Sequence, residues 1–385
     1  MKKSLILLLA LLLMLPSLGL AAAEEEEVTL FFQATPEPVA TETEPSDPLG
    51  SAEDVPSPAA QPLDIRPDGS VEITISAVGD LTFGGDVRKS GLSIFDRELK
   101  KQGEDLSFVT RNILDVISQD DMTIANFETT LTTTPPFKKN NEFVFSAPPE
   151  YVKILTTGSI ESVSFENNHA MDHGQTGIED TIRVFEENNI VWSADGHLGI
   201  FETKGVKIGM LSYQTFNGAY PRLHEQVPRD IAQARALSDI VVVSYHWGAE
   251  KDYVPNNNQQ KLGRATIDAG ADLVVGHHSH RINPIEEYNG KYIVYSLGNF
   301  SFAGNNKPSD MSSFVFQARF HVKDGQASVQ AFRIVPMRIS SKSDYNDFMP
   351  TPYTDQLLID NVINTLTANG KKLEYAVSAY PVDWE

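Results

Sequence analysis

Asp272-Leu-Val-Val-Gly276 runs straight into His277-His-Ser-His280, and Tyr292-Ile-Val-Tyr-Ser-Leu-Gly-Asn-Phe300 follows soon after. The opening residues have β-propensity and end in a cluster of imidazoles, where a strand must give way to a loop. If extended geometry persists, His278 and His280 share one face, because side chains alternate with period two. Paired imidazoles at that spacing hold a metal ion; the alternative is a solvated polar loop.

The same arrangement recurs outward from this stretch. Val71-Glu-Ile-Thr-Ile-Ser-Ala-Val78 reads as a strand that delivers Gly79-Asp80 at its carboxyl end. The loop Leu81-Thr-Phe-Gly-Gly-Asp86 lacks the Lys-Ser/Thr continuation of a phosphate-binding P-loop, so Asp80 is preferred as a strand-end ligand over a glycine cradle. Met122-Thr-Ile-Ala125 ends in Asn126-Phe-Glu128, and Ser162-Val-Ser-Phe165 leads to Glu166-Asn-Asn-His169 and Met171-Asp-His-Gly174. Val206 to Ser212 is a strand, and Asp239-Ile-Val-Val-Val-Ser-Tyr245 is the near-continuous apolar run of a buried parallel one, ending in His246-Trp-Gly-Ala-Glu250.

Helical periodicity separates these strands. Leu106, Val109, Ile113 and Val116 form one stripe. Tyr151 to Leu155 reads as another helix, and Thr176-Gly-Ile-Glu179 as a capping box opening a third with Ile178, Ile182 and Phe185 inward. Gln259 to Ala269 is a helix stopped by Gly270. Two antiparallel strands joined at Lys323-Asp-Gly325 and a weak helix near Gln356 to Leu366 complete the chain.

Strands alternating with helices imply an α/β fold with a largely parallel sheet, whose ligands gather beyond the carboxyl ends of the strands. Asp80, Asn126/Glu128, Asn168/His169, His246 and His278/His280 all fall there. Singly, each has a plain explanation, such as a turn-forming Asp or a core histidine. Together they point to a metal site. Asp172 and Glu250 would orient imidazoles or touch substrate, with a surface role as the alternative; Trp247 and Tyr253 line a cleft or simply pack.

Composition narrows the class. Lys2 and Lys3, the apolar run Leu5 to Leu15, and Ala21-Ala-Ala23 describe a secretory signal peptide cleaved near Ala23, with a retained anchor as the alternative. Glu24 to Asp64 is acidic, rich in Pro and Thr, and free of Lys and Arg, so it reads as a disordered spacer. It carries about half of the net charge of −21. No basic stretch suits nucleic acid. The chain has no Cys, which excludes disulfides and limits any metal site to nitrogen and oxygen ligands. The expected organisation is a leader at 1–23, a linker at 24–70, one domain at 71–340 and a C-terminal extension at 341–385.

Gly79-Asp80, Ala125-Asn-Phe-Glu128, Asn167-Asn-His-Ala-Met-Asp-His-Gly174, His246-Trp-Gly-Ala-Glu250, Gly276-His-His-Ser-His280 and Ser296-Leu-Gly-Asn-Phe300 resemble the ordered motifs of the CapA family. That family is associated with poly-γ-glutamate capsule synthesis and belongs to the calcineurin-like metallophosphoesterase superfamily. The resemblance spans about Ile73 to Phe302. It implies a four-layer αββα sandwich with a centre for one or two divalent ions (Mn, Fe or Zn) between the sheets. Asp80 then resembles the first-motif ligand, Asn168 the Asn of the Asn-His motif, His246 the lone histidine, and His278 and His280 the closing pair. His169 resembles the residue that protonates the leaving group or steadies the substrate anion. Two departures stand out: the usual Asp-x-His reads Asp80-Leu-Thr82, so a nitrogen ligand is missing, and the usual Gly-Asp of the second motif is replaced by Asn126-Phe-Glu128. Glu128 would have to reach in as a longer carboxylate. The function implied is an exported metal-dependent hydrolase of an anionic or cell-envelope polymer, working beside a membrane-bound polymer synthase. The alternatives are a non-catalytic assembly subunit and a metal-poor epimerase with His169 or His246 as base.

Overall fold

The apolar runs pair into two sheets that bury one shared core. The computed structural model describes residues 65–137 and 143–384; the leader and the acidic spacer Glu24 to Asp64 lie outside the described residues. Strand β1 (Val71–Thr82) precedes the short β2 (Gly85–Asp86), helix α1 (Ile94–Lys101) and the single turn α2 (Leu114–Ile117). Then come β3 (Met122–Phe127), β4 (Thr130–Leu131), β5 (Phe145–Ala147), α3 (Lys153–Thr157), β6 (Ser162–Ser164) and α4 (Gly174–Glu187). They are followed by β7 (Val191–Ser193), β8 (Gly199–Thr203), β9 (Val206–Gln214), α5 (Tyr220–Leu237), β10 (Ile240–His246), α6 (Asn257–Asp268) and β11 (Leu273–His277). The last elements are β12 (Ile285–Tyr288), β13 (Lys291–Val294), β14 (Asn299–Phe302), β15 (Ser312–Lys323), β16 (Gln326–Arg338), β17 (Thr351–Pro352) and α7 (Gln356–Gly370).

One sheet has the order β17-β16-β15-β1-β3-β6-β7, with β14 also paired to β1; the other has the order β12-β13-β11-β10-β9-β8. In the first, β1, β3, β6 and β7 are parallel, and in the second β9, β10, β11 and β13 are. Ile73, Ile75 and Phe316 from the first sheet pack against Ile208, Val242 and Val275 from the second in a single core. Each such side chain contributes roughly 2 kcal/mol by leaving water. On the outer face of the second sheet, Leu223, Val227 and Ile231 of α5 and Leu262 of α6 cover Val241, Val243 and Tyr245. On the far side of the first, Phe185 of α4 packs edge-on against Phe127 at 5.1 Å between centroids. Helix, sheet, sheet and helix therefore form the four-layer αββα sandwich.

Local details follow the sequence in most places. Asn256 caps α6 in a capping box with Gln259, and Gly270, at φ +111°, ends it. The β15–β16 hairpin turns on Asp324 and Gly325, both at positive φ, which is the geometry a two-residue turn requires. Two expectations need correction. The Leu106–Val116 stripe is a 3₁₀ turn at Leu106–Val109, capped by Asp105, plus the single turn α2; its buried Val109 and Ile113 satisfy the core without a continuous helix. Thr176 is not an N-cap, since α4 starts at Gly174 after His173 with no side-chain cap. Among the described residues, no helix is long and apolar enough to cross a membrane.

Candidate metal centre

The carboxyl ends of the parallel strands in both sheets meet at one place. Asp80 lies in β1 with Asn126 of β3 and Asn299 of β14 as its register partners. The approach there is close, because a Cβ on Gly79 would stand 2.1 Å from the Gly298 carbonyl oxygen. Only glycine permits it. Glu128 follows β3, Asn168 and His169 lie beyond β6, His246 ends β10, and the His277–His280 run leaves β11.

His278 and His280 do not converge through strand alternation, which corrects the expectation from period two. Both take positive φ, +89° and +52°, so the backbone turns sharply to aim each ring. Left-handed backbone at a non-glycine residue costs about 1–3 kcal/mol, a strain that persists only where the surroundings enforce it. The Asn299 side-chain oxygen lies 2.8 Å from His280 Nδ1, and the Phe302 ring packs against the His280 ring at 4.9 Å.

Two donor sets result, and they share one residue. Glu128, His246 and His278 offer ligand atoms within 4.8 Å of one another, and so do Asp80, Glu128 and His280. In the first set His246 Nε2 lies 3.0 Å from His278 Nδ1, 2.7 Å from Asn168 Oδ1 and 3.8 Å from Glu128 Oε1. Donors on a tetrahedron with bonds of about 2.0–2.1 Å stand roughly 3.3 Å apart, so these spacings straddle that edge. In the second set Asp80 Oδ2 lies 3.1 Å from His280 Nδ1.

The chemistry of the donors fits a cation. Glu128 is 1 % exposed and, among the described residues, its Oε2 has no hydrogen-bond partner. A buried, unpaired carboxylate oxygen is costly unless a positive charge meets it. Burial and the nearby charge of Asp80 push the Glu128 carboxyl well above its usual range. For Asp80 burial favours the neutral acid, but His277 and His280 hold it well below that range. Burial, then the neighbouring imidazoles, lower His246 well below its ordinary value and His278 to about 4. Both rings are therefore neutral near pH 7, with lone pairs available to a metal. An all-nitrogen-and-oxygen set of this kind suits Zn, Mn or Fe.

Beside the cage, His169 Nδ1 lies 2.7 Å from Asp172 Oδ2, and its Nε2 lies 3.9 Å from Glu128 Oε1. Asp172 Oδ2 also accepts the backbone N–H of Phe145 at 2.8 Å, tying β5 to this pair. Glu250 is exposed and makes no hydrogen bond to an imidazole among the described residues, although its charge acts on Glu128, His278 and His280. Trp247 is wholly buried, donates Nε1–H to the Tyr295 carbonyl at 2.9 Å and stacks on Tyr245, so it packs rather than lining a cleft. Tyr253 donates its hydroxyl to Asp310 at 2.6 Å.

Sequence reasoning missed three contributors. His277 is buried, with Nδ1 3.3 Å from Asp80 Oδ1; it braces the carboxylate and belongs to neither donor set. Asn167 donates to the Phe127 carbonyl at 2.9 Å and to Asn126 Oδ1 at 3.2 Å, while its own oxygen accepts the His169 N–H at 3.0 Å. Asn299 holds His280 as described. Their polar character beside candidate ligands was the only available signal, and it does not tell a brace from a ligand.

Comparison with known proteins adds to this geometry. The model of the family described as bacterial capsule synthesis protein PGA_cap matches residues 74–303. The PGA biosynthesis protein CapA of Bacillus subtilis (strain 168) is 30% identical over 335 residues, covering 81% of this chain and 83% of that protein. The capsule biosynthesis protein CapA of Bacillus anthracis is 27% identical over 326 residues, covering 78% and 74%. The solved calcineurin-like phosphoesterase YfkN from Bacillus subtilis is similar at TM-score 0.42 and 16% identity, over 78% of this chain and 99% of that one. The family match takes in more than half of the sequence and every strand end that feeds the cage, from Asp80 to Asn299, and on that ground the chain belongs to the PGA_cap family of bacterial capsule synthesis proteins.

Proposed function

We propose that this chain is an exported metal-dependent hydrolase that processes an anionic, amide-linked cell-envelope polymer of the poly-γ-glutamate kind. The single observation carrying the reading is Glu128, whose carboxylate belongs to both donor sets. Asn168, His246 and His278 would complete one ion's shell, and Asp80 and His280 the other's. When bound, divalent ions in such a pair polarise a substrate oxygen and acidify a water toward neutral pH.

The chain's own residues supply the rest. Asp172 accepts the Nδ1 proton of His169 and so fixes the tautomer in which Nε2 faces the cage. Protonated at Nε2, His169 is placed to give a proton to a leaving amine or to steady the anion. Phe145, with its ring 4.7 Å from the His169 ring, keeps water from that side. Export rests on the leader at 1–23, with a linker at 24–70 before the domain at 71–340; the segment 341–385 is read as an extension of that domain.

Purified protein stripped of metal should lose hydrolysis of a γ-linked glutamate polymer and regain it with Mn or Zn. Full activity in excess chelator would end the proposal. A second reading, a non-catalytic assembly subunit, is favoured by the names of the two relatives, which speak of biosynthesis. Under it, His278→Ala leaves polymer production intact while deletion of the chain abolishes it.

A further inference from the structure

A cleft of about 490 Å³ lies between α1, the β2 edge and the β4–β5 pair. Its size is that of a small-molecule site. Phe145 forms part of its wall, and the same ring packs on His169; Gly304 lines the cleft beside Phe145 and Phe302, and Phe302 packs on His280. Aromatic rings therefore stand between the cleft and the cage. A side chain at Gly304 would strike Phe302, with its Cβ 2.5 Å from the ring, so glycine keeps this wall open.

Its charge is uneven. Lys89, Arg97, Asp86 and Asp96 all contribute to the lining. Both carboxylates are engaged: Asp86 is held by Arg88 at 2.9 and 3.0 Å, and Asp96 accepts the Tyr151 hydroxyl at 2.7 Å. The cations are not neutralised. Among the described residues neither Lys89 nor Arg97 has a carboxylate within salt-bridge distance; Lys89 Nζ lies over the Phe143 ring at 5.3 Å, and Arg97 donates to the Leu92 carbonyl at 2.6 Å. Helix α1 opens into the same space at Ser93 and Ile94, adding the positive end of its dipole. Ser146 supplies a hydroxyl.

We propose that this cleft is a polymer subsite in which Lys89 and Arg97 hold successive carboxylates of a glutamyl chain on its way to the cage beyond Phe145. The inference rests on the function proposed above and deepens it. In a protein of net charge −21, two cations without carboxylate partners are what would let a polyanion dock at all. Arg forms bidentate pairs with carboxylates, whereas Lys acts as a point charge, so Arg97 sets register and Lys89 adds affinity.

The test uses the full metal-loaded chain and a γ-linked glutamate oligomer of about ten residues, with binding measured by calorimetry at two salt concentrations. Both cations are exposed, so Lys89→Gln with Arg97→Gln leaves the core untouched. The expected result is binding weakened by at least about ten-fold with a shallower salt dependence, metal content unchanged, and no binding of the fully amidated oligomer. Equal affinity in wild type and double variant would overturn the cleft assignment while leaving the polymer reading in place. Absence of binding in wild type, with metal content intact, would overturn the polymer reading and this inference with it. Polyphosphate binding more tightly than the oligomer through the same two residues would overturn the carboxylate assignment.

Discussion

The two donor sets around Glu128 are unequal. One gathers Asn168, His246 and His278 with Glu128, and both imidazoles are kept neutral by burial. The other has only Asp80, Glu128 and His280, with Thr82 two residues beyond Asp80 in β1. His280 differs too: burial disfavours its charge, yet Glu128 and Asp80 push it up to about 9. A metal entering that half must displace a proton at neutral pH; one entering the other half need not. The lesson is that a shared carboxylate can join a complete half-site to an incomplete one, and the halves should then fill in order.

The largest effect should come from the shared residue. Glu128→Gln should empty both halves, lowering metal content to near zero by elemental analysis. In chelator the variant should be no less stable than wild type, since it removes a buried carboxyl whose charge is disfavoured; a fall of more than about 2 kcal/mol in denaturant titration would show that Glu128 serves the fold instead.

Next in size is the proton path. Asp172→Asn removes the acceptor that fixes His169, and polymer turnover should drop roughly 10²-fold with metal content retained. Loss of metal in this variant would move Asp172 from positioning to scaffolding.

A third substitution attempts to erase the asymmetry. Thr82 is buried and, among the described residues, its hydroxyl has no partner, so Thr82→His offers the incomplete half a nitrogen without orphaning any group. The second step of a metal titration should tighten by about ten-fold. Unchanged second-step affinity, with native circular dichroism, would place the deficit elsewhere.

The smallest effect belongs to a control at the other end of β3. Asp120 is mostly buried, and burial raises it to about 7 against the hydrogen bonds of Ser76 and Thr123. Because its folded value exceeds its ordinary one, its contribution is complete below about pH 4 and is lost as pH rises through 7. Asp120→Asn should remove that slope and raise stability above pH 7 by about 1–2 kcal/mol, with metal binding unchanged. A variant that also lost metal would break the separation between the two ends of the strand.

Much of this was legible in the residues. The buried run of β10, the α6 cap and stop, and the Asp324-Gly325 turn follow from periodicity and backbone preference, which act locally. The 106–117 stretch misled because a helical stripe needs buried neighbours at every turn to stay helical, and here a turn suffices.

The order of polar groups after apolar strands was enough, from sequence alone, to state an α/β fold with polar groups gathered at its strand ends, since strand ends and residue chemistry are written in the chain; the four layers and the missing imidazole were implied by the resemblance to the CapA family. Only the folded molecule decided that Glu128 reaches both donor sets, that His277, Asn167 and Asn299 brace them, and that left-handed backbone aims His278 and His280. Those outcomes depend on distances between segments far apart in the chain, which packing sets and local preference cannot encode.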